Sequence, residues 1–196
     1  MIGRLPIASC IADFLTQNPE INMHVDYSSR YVNLQEEGYD VAIRTGALAN
    51  STLVAKRIGD DPQVVVAAPS YLETHATPRR PKDLEKHSCL VIGDQWKWQF
   101  KRKSTIDVIR VEGRMRGNDA SLLVRCAIDG CGIVRVSRAL IENELASGQL
   151  VELLKGYDTS MDSPIWAVYP STNHVPPRLR AFIDCLSGWL RAHKPT

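Results

Sequence analysis

Residues 36–46, EEGYDVAIRTG, join the end of a short predicted helix to a buried strand and a polar loop. Gly38 suits the left-handed conformation that commonly ends a helix. The five residues after it form a nearly continuous apolar run, which predicts a buried strand. Arg44, Thr45 and Gly46 follow that run, and open α/β sheets place ligands at the carboxyl ends of their strands. The stretch therefore predicts an α/β sheet with a binding site at this edge.

Composition narrows the class of protein. The chain has 196 residues, of which 44% are hydrophobic and 23% charged, and this length allows one large domain or two small ones. A formal net charge of +2 is too small to indicate a protein that coats nucleic acid or a membrane surface. No run approaches the roughly 18 apolar residues of a membrane span, and the first residues lack the pattern of a secretory signal. We therefore expect a cytoplasmic protein that does not associate with membranes.

The residues that carry chemistry show no catalytic or metal-binding pattern. The five histidines have no metal-ligand spacing, and no nucleophile, metalloprotease or phosphate-loop motif is present. We therefore expect no metal, no cofactor and no catalysis. The five cysteines are odd in number and lack a C-x-x-C pair, which predicts buried, reduced thiols; they are Cys10, Cys89, Cys126, Cys131 and Cys185.

Hydrophobic periodicity predicts helices and strands in alternation, and hence a sheet flanked by helices. Strict alternation over residues 21–27 predicts a half-buried strand. The basic turn at residues 101–104 is interpreted as a solvated hairpin tip. The remaining predicted helices are 5–15, 71–74, 121–128, 138–146 and 177–190. The remaining predicted strands are 53–58, 63–68, 89–92, 96–100, 106–111, 133–136, 150–154 and 165–169.

The opening stretch resembles the "egyDvaiRxG" signature of the effector-binding domain of LysR-type transcriptional regulators. Further segments resemble other motifs of that family. Each segment alone is weak evidence for the family. All of them occur in the same order as in the family, and that order is specific for it. They are residues 14–21, 66–72, 81–90, 98–100, 117–119, 130–133, 148–151, 169–170 and 180–184.

The resemblance implies an α/β fold of two Rossmann-like lobes joined by two crossover strands, as in type II periplasmic binding proteins. On this basis lobe I comprises residues 1–68 and 168–196, and lobe II comprises residues 69–167. The family also has a first strand in the middle of lobe I and, further upstream, a winged helix-turn-helix that binds DNA. Neither is present in this sequence. We therefore expect a fragment of a longer regulator, with a gap in the sheet of lobe I.

The function implied by the resemblance is ligand sensing and dimerisation. A small anionic effector, such as a carboxylate or an aromatic acid, would bind between the lobes and alter DNA binding by the attached helix-turn-helix. The resemblance also implies an antiparallel homodimer, or a tetramer at full length. In the dimer, residues 5–17 and 21–27 of one subunit would meet the helix 119–129 and its following strand in the other. The alternatives are a solute-binding protein of a transport system and, less favoured, a two-lobe enzyme.

Nine residues are candidates for binding the effector. The guanidinium of Arg44 could bind a carboxylate through two hydrogen bonds, or could form a structural ion pair. Asn118 is predicted to cap the helix 121–128, whose amino terminus would favour an anion. Arg135 lies in a predicted buried strand and needs a partner, either Glu142, Glu144 or a ligand. The full set is Arg44, Thr45, Gly46, Pro69, Ser70, Asn118, Asp119, Arg135 and Tyr169.

Overall fold

A computed structural model describes residues 4–28, 32–46, 48, 51–161, 163–171 and 175–193. None of the described helices is both long enough and apolar enough to cross a membrane. The helices are α1 Arg4–Gln17, α2 Pro69–Thr74, α3 Ala120–Ile128, α4 Glu142–Ala146 and α5 Pro177–Ala192, with 3-10 turns at Pro81–Lys86 and Arg138–Leu140. The strands are β1 Ala42–Thr45, β2 Val54–Asp60, β3 Gln63–Ala67, β4 Cys89–Ile92, β5 Lys97–Arg102, β6 Thr105–Arg110, β7 Met115–Gly117, β8 Ile133–Ser137, β9 Val151–Leu153 and β10 Pro164–Tyr169.

The chain divides into two compact units, with the first division between Asp61 and Pro62 and the second between residues 162 and 163. Unit 1 comprises the described residues before the first division and after the second, and unit 2 lies between. The sequence placed these divisions after residues 68 and 167. In the structure both divisions come earlier in the sequence. The reason is that β3 pairs with β8 and β9 of unit 2, whereas β10 pairs with β1 and β2 of unit 1.

Unit 1 contains a three-stranded antiparallel sheet in the order β1-β10-β2. Its central strand has three buried residues, Ile165, Ala167 and Val168, of which Ala167 is inaccessible to solvent. The helices α1 and α5 contribute to the same hydrophobic core, in which the rings of Phe14 and Phe182 meet edge to face at 5.3 Å between centroids. Prediction was accurate for α5, including Pro177 in its first turn and its apolar stripe.

The segment between α1 and β1 differs from the prediction. Residues 21–28 form no strand, and 34–38 form turns in place of a helix, although Gly38 does adopt a left-handed φ of 75°. A strand requires a neighbour to satisfy its backbone groups, and none of the described strands pairs with 21–28. Both segments instead line a cavity of about 560 Å³ together with α1, β1 and α5.

Unit 2 contains a five-stranded mixed sheet in the order β7-β4-β8-β3-β9. Strand β4 runs parallel to β7 and β8, whereas β3 is antiparallel to β8 and β9. One buried cluster includes residues of α3, and the other includes residues of α2 and of the hairpin β5–β6. Strands buried on both sides read as apolar runs, which explains why β3, β4 and β8 were recognised from sequence. The short strand β7 was not predicted.

The amino terminus of α3 is capped by Asp119 rather than by the predicted Asn118. The Asp119 carboxylate accepts hydrogen bonds from the backbone N–H groups of Ser121 and Leu122, at 2.8 and 3.1 Å. Both residue types make good caps, so the position of the first helical turn decides between them. The other end agrees with the prediction, because Gly130 has a left-handed φ of 79°.

Replacing Asp119 by alanine should lower the free energy of unfolding by about 0.5–2 kcal/mol, because two helix N–H groups lose their acceptor. Asp119→Asn keeps an acceptor oxygen and should retain most of the stability. Urea titration followed by circular dichroism measures both. An alanine variant as stable as the parent would show that this cap contributes nothing.

Candidate functional site

Strand directions decide which loops of unit 2 lie together. The carboxyl ends of the parallel strands β4, β7 and β8 share one edge of the sheet. The chain enters unit 2 at that same edge, because Gln63 at the start of β3 lies opposite Ser137 at the end of β8. We call this the junction edge of unit 2. Ligands of open α/β sheets bind at such carboxyl ends.

The junction edge includes Asn118 and Asp119 but not Pro69 and Ser70. Asn118 and Asp119 directly follow β7. Pro69 and Ser70 follow β3, which runs in the opposite direction and therefore ends at the far edge. A Cβ built on Gly130, just after α3, would lie 3.3 Å from the Ser70 hydroxyl. The far edge is thus one helix length, roughly 16 Å, from Asp119.

Arg135 has a structural partner within unit 2. Its side chain is 5% exposed, and its Nη2 donates a 2.7 Å hydrogen bond to the carbonyl oxygen of Thr159. The sequence proposed Glu142, Glu144 or a ligand as the partner, and the structure adds a backbone carbonyl to these. Arg135 thereby fastens the segment after β9 to β8.

The same segment is bound to the junction edge of unit 2 by further hydrogen bonds. The Thr159 hydroxyl donates to the carbonyl oxygen of Gln63 at 2.5 Å. The backbone N–H of Gln63 donates to the Ser160 hydroxyl at 2.9 Å. Together with Arg135, these bonds fix the start of β3 and give this edge a defined geometry.

In unit 1, Thr45 and Gly46 lie where the chain leaves for unit 2. Thr45 is opposite Ile165, and Gly46 N–H donates to the carbonyl of Pro164 at 2.9 Å. We call this end of the sheet the junction edge of unit 1. The indole N–H of Trp166 donates to the Gly46 carbonyl at 2.9 Å. Gly46 has a φ of 86°, which a residue with a Cβ adopts only at a cost, so its backbone role is structural.

The sequence predicted that Arg44 follows the end of its strand. In the structure Arg44 lies inside β1. It pairs with Trp166 of β10 and is partly exposed. Its Nη2 donates a 3.0 Å hydrogen bond to the carbonyl of Val32. A guanidinium has five N–H donors in a planar fork, and this bond to Val32 uses one of them.

Tyr169 is not close to Arg44, Thr45 and Gly46 along the sheet. It pairs with Val54 at the far end of β10. Tyr169 comes five positions after Pro164, which corresponds to about 17 Å of strand. The structure therefore brings together Arg44, Thr45 and Gly46 and leaves Tyr169 at the other end of β10.

The electrostatics of α3 differ from the prediction of an anion site. The Asp119 carboxylate already accepts from the two N–H groups that an anion would need, and its negative charge opposes a second anion. Of the two candidate arginines, Arg135 is buried against Thr159, whereas Arg44 is partly exposed.

Sequence reasoning missed two residues of the junction edge of unit 2. Ser137 is 6% exposed and ends β8, and Gln63 begins β3. Among the described residues, no three His, Cys, Asp or Glu side chains are grouped so as to hold a metal ion.

Comparison with known proteins identifies the class of this chain. The model of the LysR substrate binding domain matches residues 1–191, so the chain belongs to that family. It is 32% identical over 185 residues to the HTH-type transcriptional regulator PtxR of Pseudomonas aeruginosa, covering 92% of this chain and 58% of that protein. It is likewise 32% identical over 184 residues to CrgA of Neisseria meningitidis, covering 92% and 61%. The chain thus spans about three fifths of these relatives.

Solved structures support the fold. The regulatory domain of CrgA superposes with a TM-score of 0.80 at 31% identity and 95% coverage of both chains. The full-length virulence activator AphB of Vibrio cholerae has a TM-score of 0.81 at 25% identity, covering 96% of this chain and 65% of that one. The chain therefore has the type II periplasmic-binding-protein-like fold of LysR-type regulatory domains.

Arg135→Ala should lower the free energy of unfolding by about 1.5–3 kcal/mol, because the buried carbonyl of Thr159 loses a charged donor. Arg125→Ala is the matched control. Arg125 is exposed and pairs with Asp129 one helical turn away, so its loss should cost little. Denaturant unfolding of both variants gives the comparison. Equal stability of Arg135→Ala and the parent would mean that the Thr159 contact is not structural.

Proposed function

We propose that this chain is the ligand-sensing domain of a LysR-type transcriptional regulator and that its effector is a small organic anion. The observation that carries the proposal is the match of the family model to residues 1–191, on a chain that folds into two α/β units. The relatives are transcriptional regulators by name, which favours sensing over catalysis. In the cytoplasm, binding of the effector would shift the population of domain conformations.

Each unit is proposed to have its own set of residues that could contact an effector. In unit 1 the set is Arg44 and Thr45, held in position by the hydrogen bonds of Gly46 to β10. In unit 2 the set is Asn118 and Ser137 at the junction edge. Pro69, Ser70 and Tyr169 receive less support, because each lies at the far end of its own sheet.

The guanidinium of Arg44 is the basis for the proposed preference for an anion. A half-buried guanidinium loses less to competition from water than an exposed one, so its interaction with a carboxylate is strengthened. Its bond to the Val32 carbonyl restricts the side chain, and a restricted side chain loses less conformational entropy on binding. A carboxylate matches the fork of a guanidinium in both shape and charge.

The whole protein is proposed to bind DNA through a region that this chain does not span. The relatives are HTH-type regulators, and the chain covers only about three fifths of PtxR and CrgA. Effector binding would then change how the DNA-binding region meets its operator.

We further propose that the domain forms an antiparallel homodimer through α1, residues 21–27 and α3. Much of the apolar surface of these helices is buried within their own units, including Ile7, Phe14 and Leu123. The exposed large apolar side chains described in these segments are Leu122 on α3, at 51%, Tyr27, at 48%, and Val25, at 45%. Large exposed apolar side chains are common at interfaces, and a two-fold dimer is the commonest closed assembly.

Arg44→Ala should weaken binding of an organic acid by roughly 1.5–3 kcal/mol, about 10- to 150-fold, because a charge-assisted hydrogen bond is lost. The probes are small carboxylates such as benzoate, each compared with its neutral amide in a thermal-shift assay and by calorimetry. Arg44→Lys keeps the charge but not the bidentate geometry, so it should show an intermediate loss.

Arg191→Ala serves as the control, because Arg191 is an exposed arginine of the same unit, in the last turn of α5. It should bind the acids as tightly as the parent does. Amides that bind as well as acids, or unchanged acid binding in Arg44→Ala, would overturn the proposed anion preference.

Leu122→Asp should raise the dimer dissociation constant at least about tenfold, or about 1.4 kcal/mol, because it places a charge in the proposed interface. Val108→Asp is the matched control, since Val108 is 55% exposed on the hairpin of unit 2 and outside the proposed contact. Sedimentation equilibrium at micromolar concentration measures both. If Val108→Asp dissociates the dimer and Leu122→Asp does not, the interface lies elsewhere.

A further inference from the structure

Two cysteines of unit 1 are in contact across a pair of helices. The sulfur of Cys10 in α1 lies 4.0 Å from the sulfur of Cys185 in α5. The neighbouring contact of Phe14 with Phe182 shows that the two helices pack in antiparallel directions, since the residue numbers rise on one and fall on the other. The other cysteines, Cys89, Cys126 and Cys131, all belong to unit 2.

The two thiols have different access to solvent. Cys10 is inaccessible to solvent, whereas Cys185 is partly exposed. Burial raises the pKa of the Cys10 thiol to about 12, and the adjacent Cys185 adds to the rise. Cys10 is therefore protonated at neutral pH and shielded from oxidants in solution. A dissolved oxidant reaches Cys185 first, because oxidation follows thiol exposure.

We propose that Cys10 and Cys185 form a reversible disulfide when the protein meets a hydroperoxide, so that unit 1 contains a redox modification site. In the first step the Cys185 sulfur attacks the peroxide oxygen. The O–O bond breaks, the leaving oxygen takes up the Cys185 thiol proton and departs as an alcohol or water, and Cys185 becomes a sulfenic acid. In the second step the Cys10 sulfur attacks the sulfenic sulfur. The S–S bond forms, the S–O bond breaks, and the hydroxyl leaves as water with the Cys10 proton.

The geometry requires only a small adjustment. A disulfide has a sulfur–sulfur distance of about 2.05 Å, so the two sulfurs must approach by about 2 Å from their present separation. Both lie on helices within one hydrophobic core. A slight shift of α1 relative to α5, or a change of side-chain rotamer, supplies that distance without unfolding the unit.

The consequence is a covalent link between α1 and the rest of unit 1. Helix α5 is already attached to β2, because Lys56 and Asp184 form an ion pair at 2.7 Å and the Ser187 hydroxyl donates to the Ile58 carbonyl at 3.3 Å. Oxidation would therefore tie α1 through α5 to the sheet. A cross-link between residues far apart in sequence also restricts the unfolded chain. The oxidised protein should consequently unfold at a higher temperature than the reduced protein.

The test is oxidation of the full chain with hydrogen peroxide at low protein concentration, followed by trypsin digestion without reductant. Trypsin releases residues 5–30 with Cys10 and residues 181–191 with Cys185. We expect mass spectrometry to find these two peptides joined, with the loss of two hydrogen atoms. Dithiothreitol should separate them, and the melting temperature should rise on oxidation and fall on reduction.

Three variants make the result decisive. Cys185→Ser replaces a partly exposed thiol, should fold normally, and should abolish both the linked peptides and the thermal shift. Cys10→Ala should do the same, while Cys185 then accumulates as a sulfenic acid that dimedone traps. Cys131→Ser is the control, because Cys131 is exposed in unit 2. In this variant the disulfide between Cys10 and Cys185 should form as in the parent. Overoxidation of Cys185 with Cys10 still a free thiol, or linkage through Cys131 alone, would overturn the proposal.

Discussion

The position of β10 between β1 and β2 is the constraint on which the rest of the structure depends. This strand forms antiparallel ladders on both sides, and Ala167 at its middle is inaccessible to solvent. Because β10 follows unit 2 in sequence, the sheet of unit 1 forms only when β10 pairs with β1 and β2, which precede unit 2. The same strand positions the candidate site, since Pro164 and Trp166 bind both backbone groups of Gly46. Arg44 is therefore placed by a strand that lies far from it in sequence.

In unit 2 the corresponding constraint is the direction of β3. Running antiparallel to β8, it brings the start of the unit to the edge where β4, β7 and β8 end. Hydrogen bonds from Arg135, Thr159 and Ser160 fix that edge. A buried arginine is costly unless it is paired, and its role here is to hold the backbone of the edge. The start of β3 is thereby held in a defined position beside the end of β8.

Sequence was sufficient for the family, the two-lobe fold and most elements, because the apolar patterns of β3, β8 and α5 reflect burial directly. It failed where the outcome depends on neighbours. Residues 21–27 alternate as a strand does, but without a paired strand they form none. Ser70 and Asn118 were both assigned to the binding site because each follows a strand. The sequence does not show that β3 and β7 run in opposite directions, so it could not place the two residues at opposite ends of the sheet. Asp119 and Asn118 are both good caps, and only the packing of α3 selects between them. Likewise, the contact of Cys10 with Cys185 cannot be read from their separation in sequence.

Hydrogen–deuterium exchange of the chain, with and without the organic acid that gives the largest thermal shift, tests the central claim most directly. Exchange reports local protection of backbone N–H groups. If the domain senses an effector through its junction edges, binding should slow exchange at residues 44–46 and at residues 117–119 and 137–138. Residues 69–72 and 169, at the far edges, should be unaffected. Protection confined to the far edges, or no protection by any acid, would contradict this account.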